Sequence, residues 1–222
     1  MRKLKSLTTC YLLTICLSFA GEVAAQRFEG SLLFGVNASQ IARDDLNGYH
    51  QLGFNAGARV VARIDEIWSI GPELLFSQYG SRRQNNSINV SNFESFRFNT
   101  IEVPIMAYWK DWKITAEAGL SYWRVINTEI VDAAGEDVTP DFEIRENMLN
   151  FQVGATYYVS NRLGINFRYS KNISRLDTEN NPNTFNWKNF ALTFRFVYLL
   201  GTDFGLPQKP TERERRPVIQ NL

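Results

Sequence analysis

Cysteine is nearly absent from this chain. Its 222 residues include two, Cys10 and Cys16, and both lie within the first 20 positions. From Gln26 onward there is none, which excludes a disulfide framework and a thiolate metal site. Histidine occurs once, at His50, so no paired-histidine metal spacing can be drawn, and no glycine-rich phosphate loop is found. Lys and Arg (24) nearly cancel Asp and Glu (23), without a long basic block, so nucleic acid is not an expected partner.

The amino terminus carries a different pattern. Arg2, Lys3 and Lys5 precede the apolar stretch Leu7 to Ala20, which is short for a membrane span. Val23, Ala24 and Ala25 then supply small residues. This order predicts a secretory signal over residues 1–25 and a mature chain from about Gln26, with an uncleaved anchor helix as the alternative. Loss of the three bases and Glu22 takes the formal charge from +1 to −1. Neither cysteine sits in a lipobox.

What the chain has in abundance is alternation. In the stretch from Trp112 to Tyr122, Trp112, Ile114, Ala116, Ala118, Leu120 and Tyr122 alternate with Lys113, Thr115, Glu117, Gly119 and Ser121. A period of two is a strand with one apolar and one polar face. Seven more such segments fall between Arg27 and Leu200. The connections alternate too: short at Ile64–Ile67, Lys110–Asp111 and Ser160–Asn161, long at Gln40–His50, Arg82–Ser95, Asn127–Asn147 and Lys171–Asn186. Short turns at one end and long loops at the other predict an eight-stranded antiparallel transmembrane β-barrel, an up-and-down meander over residues 26–200. An even strand count puts both termini on the short-turn, periplasmic side.

Alternation alone does not say which face points inward, since a soluble barrel has an apolar interior. Trp68, Trp109 and Trp112 all fall beside short turns, as an aromatic girdle at one membrane interface would, and Tyr122, Phe98 and Trp187 are candidates for the opposite girdle. The apolar faces also run uncharged for five or six positions. Both features favour an apolar exterior and a polar lumen. The lumen then receives Arg59, Arg63, Glu73, Glu102, Lys113, Glu117, Arg168 and Arg195. Eight strands leave room only for side chains, so these charges are read as a structural ion-pair plug rather than an ion path. Residues 201–222, with three prolines and the run Glu212 to Arg216, read as a disordered periplasmic tail.

Three stretches carry a family likeness: Phe34 to Gln40 (FGVNASQ), Pro72 to Ser81 (PELLFSQYGS) and Ile101 to Ile105 (IEVPI), with Ala118 to Tyr122 (AGLSY) in the fifth strand. In their order and spacing they resemble the PorT-like outer-membrane β-barrel proteins of Bacteroidetes over Phe28 to Leu200. The resemblance implies an outer-membrane location. The secretion role of the family's namesake does not transfer on barrel likeness alone.

Chemistry has few carriers. His50 could be joined by Ser39 and by Asp44 or Asp45 in a hydrolase site, but nothing in the spacing requires it. The loop Asn127–Asn147 holds seven acidic residues against Arg145, which suits either a solvated loop or Ca²⁺. The reading adopted is a non-catalytic outer-membrane barrel without cofactor, acting structurally or through its surface loops or tail. Outer-membrane lipid, the barrel-assembly machinery and an envelope or secretion-complex protein are the expected partners. A hydrolase centred on His50 and a small-solute or ion pore are the alternatives. Cysteines placed at Asn86, Gly135 or Asn181 should react with an impermeant thiol reagent on whole cells, and cysteines at Asp111 or Asn161 should not. The reverse labelling pattern would overturn the assigned orientation.

Overall fold

A computed structural model describes residues 28–42, 49–83, 93–178 and 187–201. The expected signal, the tail beyond residue 201, and Asp44 and Asp45 lie outside the described residues. Eight strands follow in order: β1 (Phe28–Ala42), β2 (Gln51–Arg63), β3 (Trp68–Arg82), β4 (Phe93–Asp111), β5 (Ile114–Asp132), β6 (Asn147–Tyr158), β7 (Leu163–Asn172) and β8 (Lys188–Leu199). Each pairs with its sequence neighbour, and β8 returns antiparallel to β1, closing the barrel. Closure gives every strand two partners and leaves no edge of unpaired backbone N–H and C=O groups.

Burial follows the period-two pattern. On β1, Leu32, Phe34 and Val36 are exposed, while Ser31, Asn37 and Ser39 are buried. On β3, Trp68, Ile70 and Leu74 face out and Glu73 and Ser77 face in. The molecule is therefore apolar outside and polar inside, the reverse of a soluble barrel. The tight turns are held by side chains. Asp65 Oδ1 accepts the N–H groups of Ile67 (2.7 Å) and Trp68 (2.6 Å), and Ser160 Oγ accepts that of Leu163 (3.1 Å). Trp68 and Trp109 are register partners beside these turns, and both are exposed, as is Trp112.

Three expectations require correction. The fifth strand starts at Ile114, not Trp112, because Trp112 adopts a left-handed φ of 50° and makes the turn itself. Lys113 accordingly lies in the turn, its Nζ 5.1 Å from the Trp112 ring, not in the lumen. Phe98 and Trp187 are buried, not girdle residues. Phe98 shares the even-numbered parity of Glu102 and Thr100 on β4, which faces inward. Ser121 is buried in mid-strand, since β5 continues to Asp132, and an arginine there would overfill the lumen.

The strands β4 and β5 are 19 residues each, against 10 for β7, so one wall stands taller on the long-loop side. The pairing of Asn99 with Asn127 and of Thr100 with Val125 leaves Ile126 as an extra residue on β5, a bulge that bends this wall. Beyond it, the loop between β5 and β6 folds back through a 3₁₀ turn at Thr139–Asp141.

The face assignment yields a direct test. Ala118 sits outward in mid-strand, whereas Ile126 faces out near the long-loop rim. Ala118→Arg should destabilise the barrel in lipid vesicles by about 2–4 kcal/mol and Ile126→Arg by about 0–1 kcal/mol, as read from urea unfolding. Equal effects would contradict the placement of the apolar band.

Candidate functional site

The lumen is where the sequence concentrates its buried chemistry, and it is organised in tiers. At the short-turn rim, Arg63 Nη2 pairs with Glu29 Oε1 at 2.7 Å. One level up, the Arg59 guanidinium lies 4.9 Å from the Tyr108 ring centroid, and its Nη2 donates to Ser31 Oγ (3.3 Å) and Tyr158 Oη (3.4 Å).

The central tier is an ion cluster. Arg168 on β7 reaches across the lumen to β3, where Nη1 and Nη2 grip the two oxygens of Glu73 at 2.7 and 2.9 Å. Its Nε donates to Glu117 Oε1 on β5 at 2.7 Å, and Nη1 also donates to Gln152 Oε1 at 3.0 Å. Tyr108 Oη donates to Glu73 at 2.7 Å, and Asn166 Nδ2 to Glu117 at 2.9 Å. Arg195 is the second cation, at 3.6 Å from Glu73 and 3.7 Å from Glu117, and it donates through Nε to Asn166 Oδ1 at 2.8 Å. Space for the cluster depends on Gly154, where a Cβ would fall 2.8 Å from Glu117 Oε1 and 3.0 Å from Arg168 Cα.

Glu102 was expected among these ion pairs and is not there. It accepts from Tyr79 Oη at 2.7 Å and Gln152 Nε2 at 3.3 Å, one level above the arginines. Strand parity placed it inward, but height depends on register and tilt, which parity does not carry. Tyr79, Tyr108, Gln152 and Asn166, none of them charged, supply the hydrogen bonds that let the charges be buried.

Above the ion tier, Ser121, Asn150, Ser170, Asn172 and Asn189 face inward on β5 to β8. Each has at least one buried side-chain oxygen or nitrogen without a protein hydrogen-bond partner among the described residues. Buried polar groups of this kind cost about 1–3 kcal/mol each when unsatisfied. An aromatic cap follows. Tyr79 stacks on Trp123 at 4.4 Å, and Phe96, Phe98, Ile130, Leu176 and Trp187 pack with them. Two loops fold in to complete it: Leu176 exchanges backbone hydrogen bonds with Arg145 and Trp187, and Asp177 Oδ1 accepts the Trp187 N–H at 2.9 Å. Trp123 was missed in the sequence, although it has the same parity as Glu117 and Ser121.

The other candidates stay apart. Ser39 Oγ donates to the Gly80 carbonyl and accepts its N–H, both at 2.9 Å, so it is committed to the lumen wall, while His50 is exposed on the outside. In the acidic loop, Asp132 Oδ1 accepts the N–H groups of Ala134 and Glu136, and Asp137 accepts from Thr139. The Thr139 hydroxyl, helped by its N–H, holds the Asp137 carboxyl below the usual range. Among the described residues, no three acids, histidines or cysteines converge to hold a metal ion.

The family profile for the outer membrane protein beta-barrel domain matches residues 21–178. The chain belongs to this family. It is an outer-membrane β-barrel, and its exposed apolar band faces lipid. Solved structures similar to this family member include the attachment invasion locus protein of Yersinia pestis in complex with the heparin analogue sucrose octasulfate (15% identity, 78% of this chain and 99% of that one, TM-score 0.45). Neisserial surface protein A is also similar (12% identity, 77% and 96%, TM-score 0.46), as is the N-terminal β-barrel domain of Pseudomonas aeruginosa OprF (9% identity, 78% and 99%, TM-score 0.38). No curated protein matches the chain.

The two glutamates should behave differently on neutralisation. Glu73→Gln leaves Arg168 and Arg195 without a full partner and should cost about 3–5 kcal/mol. Glu102→Gln keeps a carbonyl oxygen for Tyr79 and should cost about 1 kcal/mol. Urea unfolding in lipid vesicles measures both, and a reversed order would refute the tier assignment.

Proposed function

We propose that this outer-membrane barrel is a non-catalytic structural and interaction protein, PorT-like in kind. Its termini are periplasmic, its long loops extracellular, and its partners meet it at those loops or at the C-terminal tail. The barrel-assembly machinery inserts it, and an envelope or secretion-complex protein is the partner class that the family resemblance suggests. The interior charges of Arg59, Arg63, Glu73, Glu102, Glu117, Arg168 and Arg195 form a structural plug that fills the lumen.

One observation carries this reading: the lumen is crossed twice, by the Arg168 bridge from β7 to β3 and by the cap around Trp123 and Trp187. A pore needs a continuous wet path, and both the ion cluster and the aromatic cap lie across it. The hydrolase alternative needs a nucleophile beside His50, and Ser39 is turned away and bonded to Gly80. In planar bilayers the purified protein should show no steady conductance, and the Trp123→Ala, Trp187→Ala double variant should remain closed because the ion tier persists. Steady wild-type conductance would overturn the reading in favour of a pore.

A further inference from the structure

The outer wall of β2 to β4 changes chemistry abruptly at the long-loop side. On β3 the outward positions run Trp68, Ile70, Pro72, Leu74 and Phe76, then Gln78 and Arg82. On β4 they run Trp109, Ala107, Ile105, Val103 and Ile101, then Asn99 and Arg97. Register sets Gln78 beside Asn99 and Gly80 beside Arg97, so two amides and then two guanidinium groups lie together just above the lipid band. Gly80, between Gln78 and Arg82, adds no side chain to this surface. With His50 and Gln51, these side chains border a cleft of about 390 Å³.

The cleft is rich in donors. Arg82 and Arg97 are exposed, and neither forms an ion pair with a described residue. Glu129 lies opposite Arg97 in the β4–β5 register, yet no ion pair joins them and Glu129 does not line the cleft. Gln78 Oε1 is occupied by the Phe54 N–H at 3.2 Å, which leaves its amide nitrogen as a donor. Neighbouring strands offer less at this height: Arg124 is paired to Glu146 at 2.7 Å, and Lys171 lies over the Phe190 ring at 5.4 Å. Guanidinium groups at headgroup depth, with amide donors beneath them, are complementary to a phosphate.

We propose that this cleft binds the phosphate of an anionic lipid headgroup in the leaflet on the long-loop side. The choice of leaflet rests on the orientation proposed above; the phosphate site does not. The full chain, purified in dodecyl maltoside, can be titrated with mixed micelles containing bis-phosphorylated lipid A. Saturable binding is expected, with dephosphorylated lipid A binding at least tenfold more weakly. The Arg82→Gln, Arg97→Gln double variant should weaken lipid A binding about tenfold or more, as two cations at a charged lipid surface allow. Arg162→Gln, at the opposite rim, should leave it unchanged. Unchanged binding by the double variant, or equal binding of the dephosphorylated lipid, would overturn the proposal. Displacement of lipid A by inorganic phosphate at low millimolar concentration would overturn the lipid source, assigning the site to free phosphate. Whole-cell labelling at Gly135→Cys separates the two claims. Normal labelling with binding lost defeats the lipid site alone, and reversed labelling with binding intact defeats only the leaflet.

Discussion

Backbone hydrogen bonding inside a lipid bilayer has no solvent to fall back on, and this constraint shapes the molecule. Each strand must find partners on both sides, so the sheet must close, as β1 does by pairing with both β2 and β8. Once closed, the side chains have two destinations. The outer ones meet lipid and are Phe34, Leu74, Ile105 and Leu120; the inner ones meet each other across a lumen only wide enough to be filled.

Filling that lumen with charge requires pairing. Arg168 is the crosspiece: it holds Glu73 by two bonds and Glu117 by one, tying three strands that are not neighbours in the barrel. Replacing such a pair by apolar side chains can be neutral or stabilising, so net stability is weak ground for its presence. Its clear structural consequence is geometric. A bidentate guanidinium–carboxylate contact ties β7 to β3 across the lumen at one height.

The tall β4–β5 wall has a different role. Its inward aromatic residues, with Leu176 and Trp187 from the far side, seal the long-loop mouth and hold two loops against it. The same wall presents Arg97 and Asn99 outward beside Gln78 and Arg82. One hairpin thus closes the interior and offers a donor-rich surface at headgroup level. Both roles follow from alternation in strands that continue beyond the lipid band.

The sequence by itself determined the strand count, the meander, the apolar exterior and the inward placement of Arg59, Glu73, Glu102, Glu117, Arg168 and Arg195, because a period of two is a local property that backbone pleating enforces. It also contained the inward parity of Phe98 and Trp123, which aromatic-girdle reasoning passed over. What it could not hold was height. Which carboxylate meets which guanidinium depends on strand tilt, on the bulge at Ile126 and on register accumulated around a closed ring. So Glu102 was grouped with the arginines and instead accepts from Tyr79, and Trp187 was sent to the lipid interface and instead packs inside. Only the tertiary structure decided these contacts: the Tyr79–Glu102 bond depends on the β3–β4 register, and Trp187 meets Phe96 only once the barrel has closed.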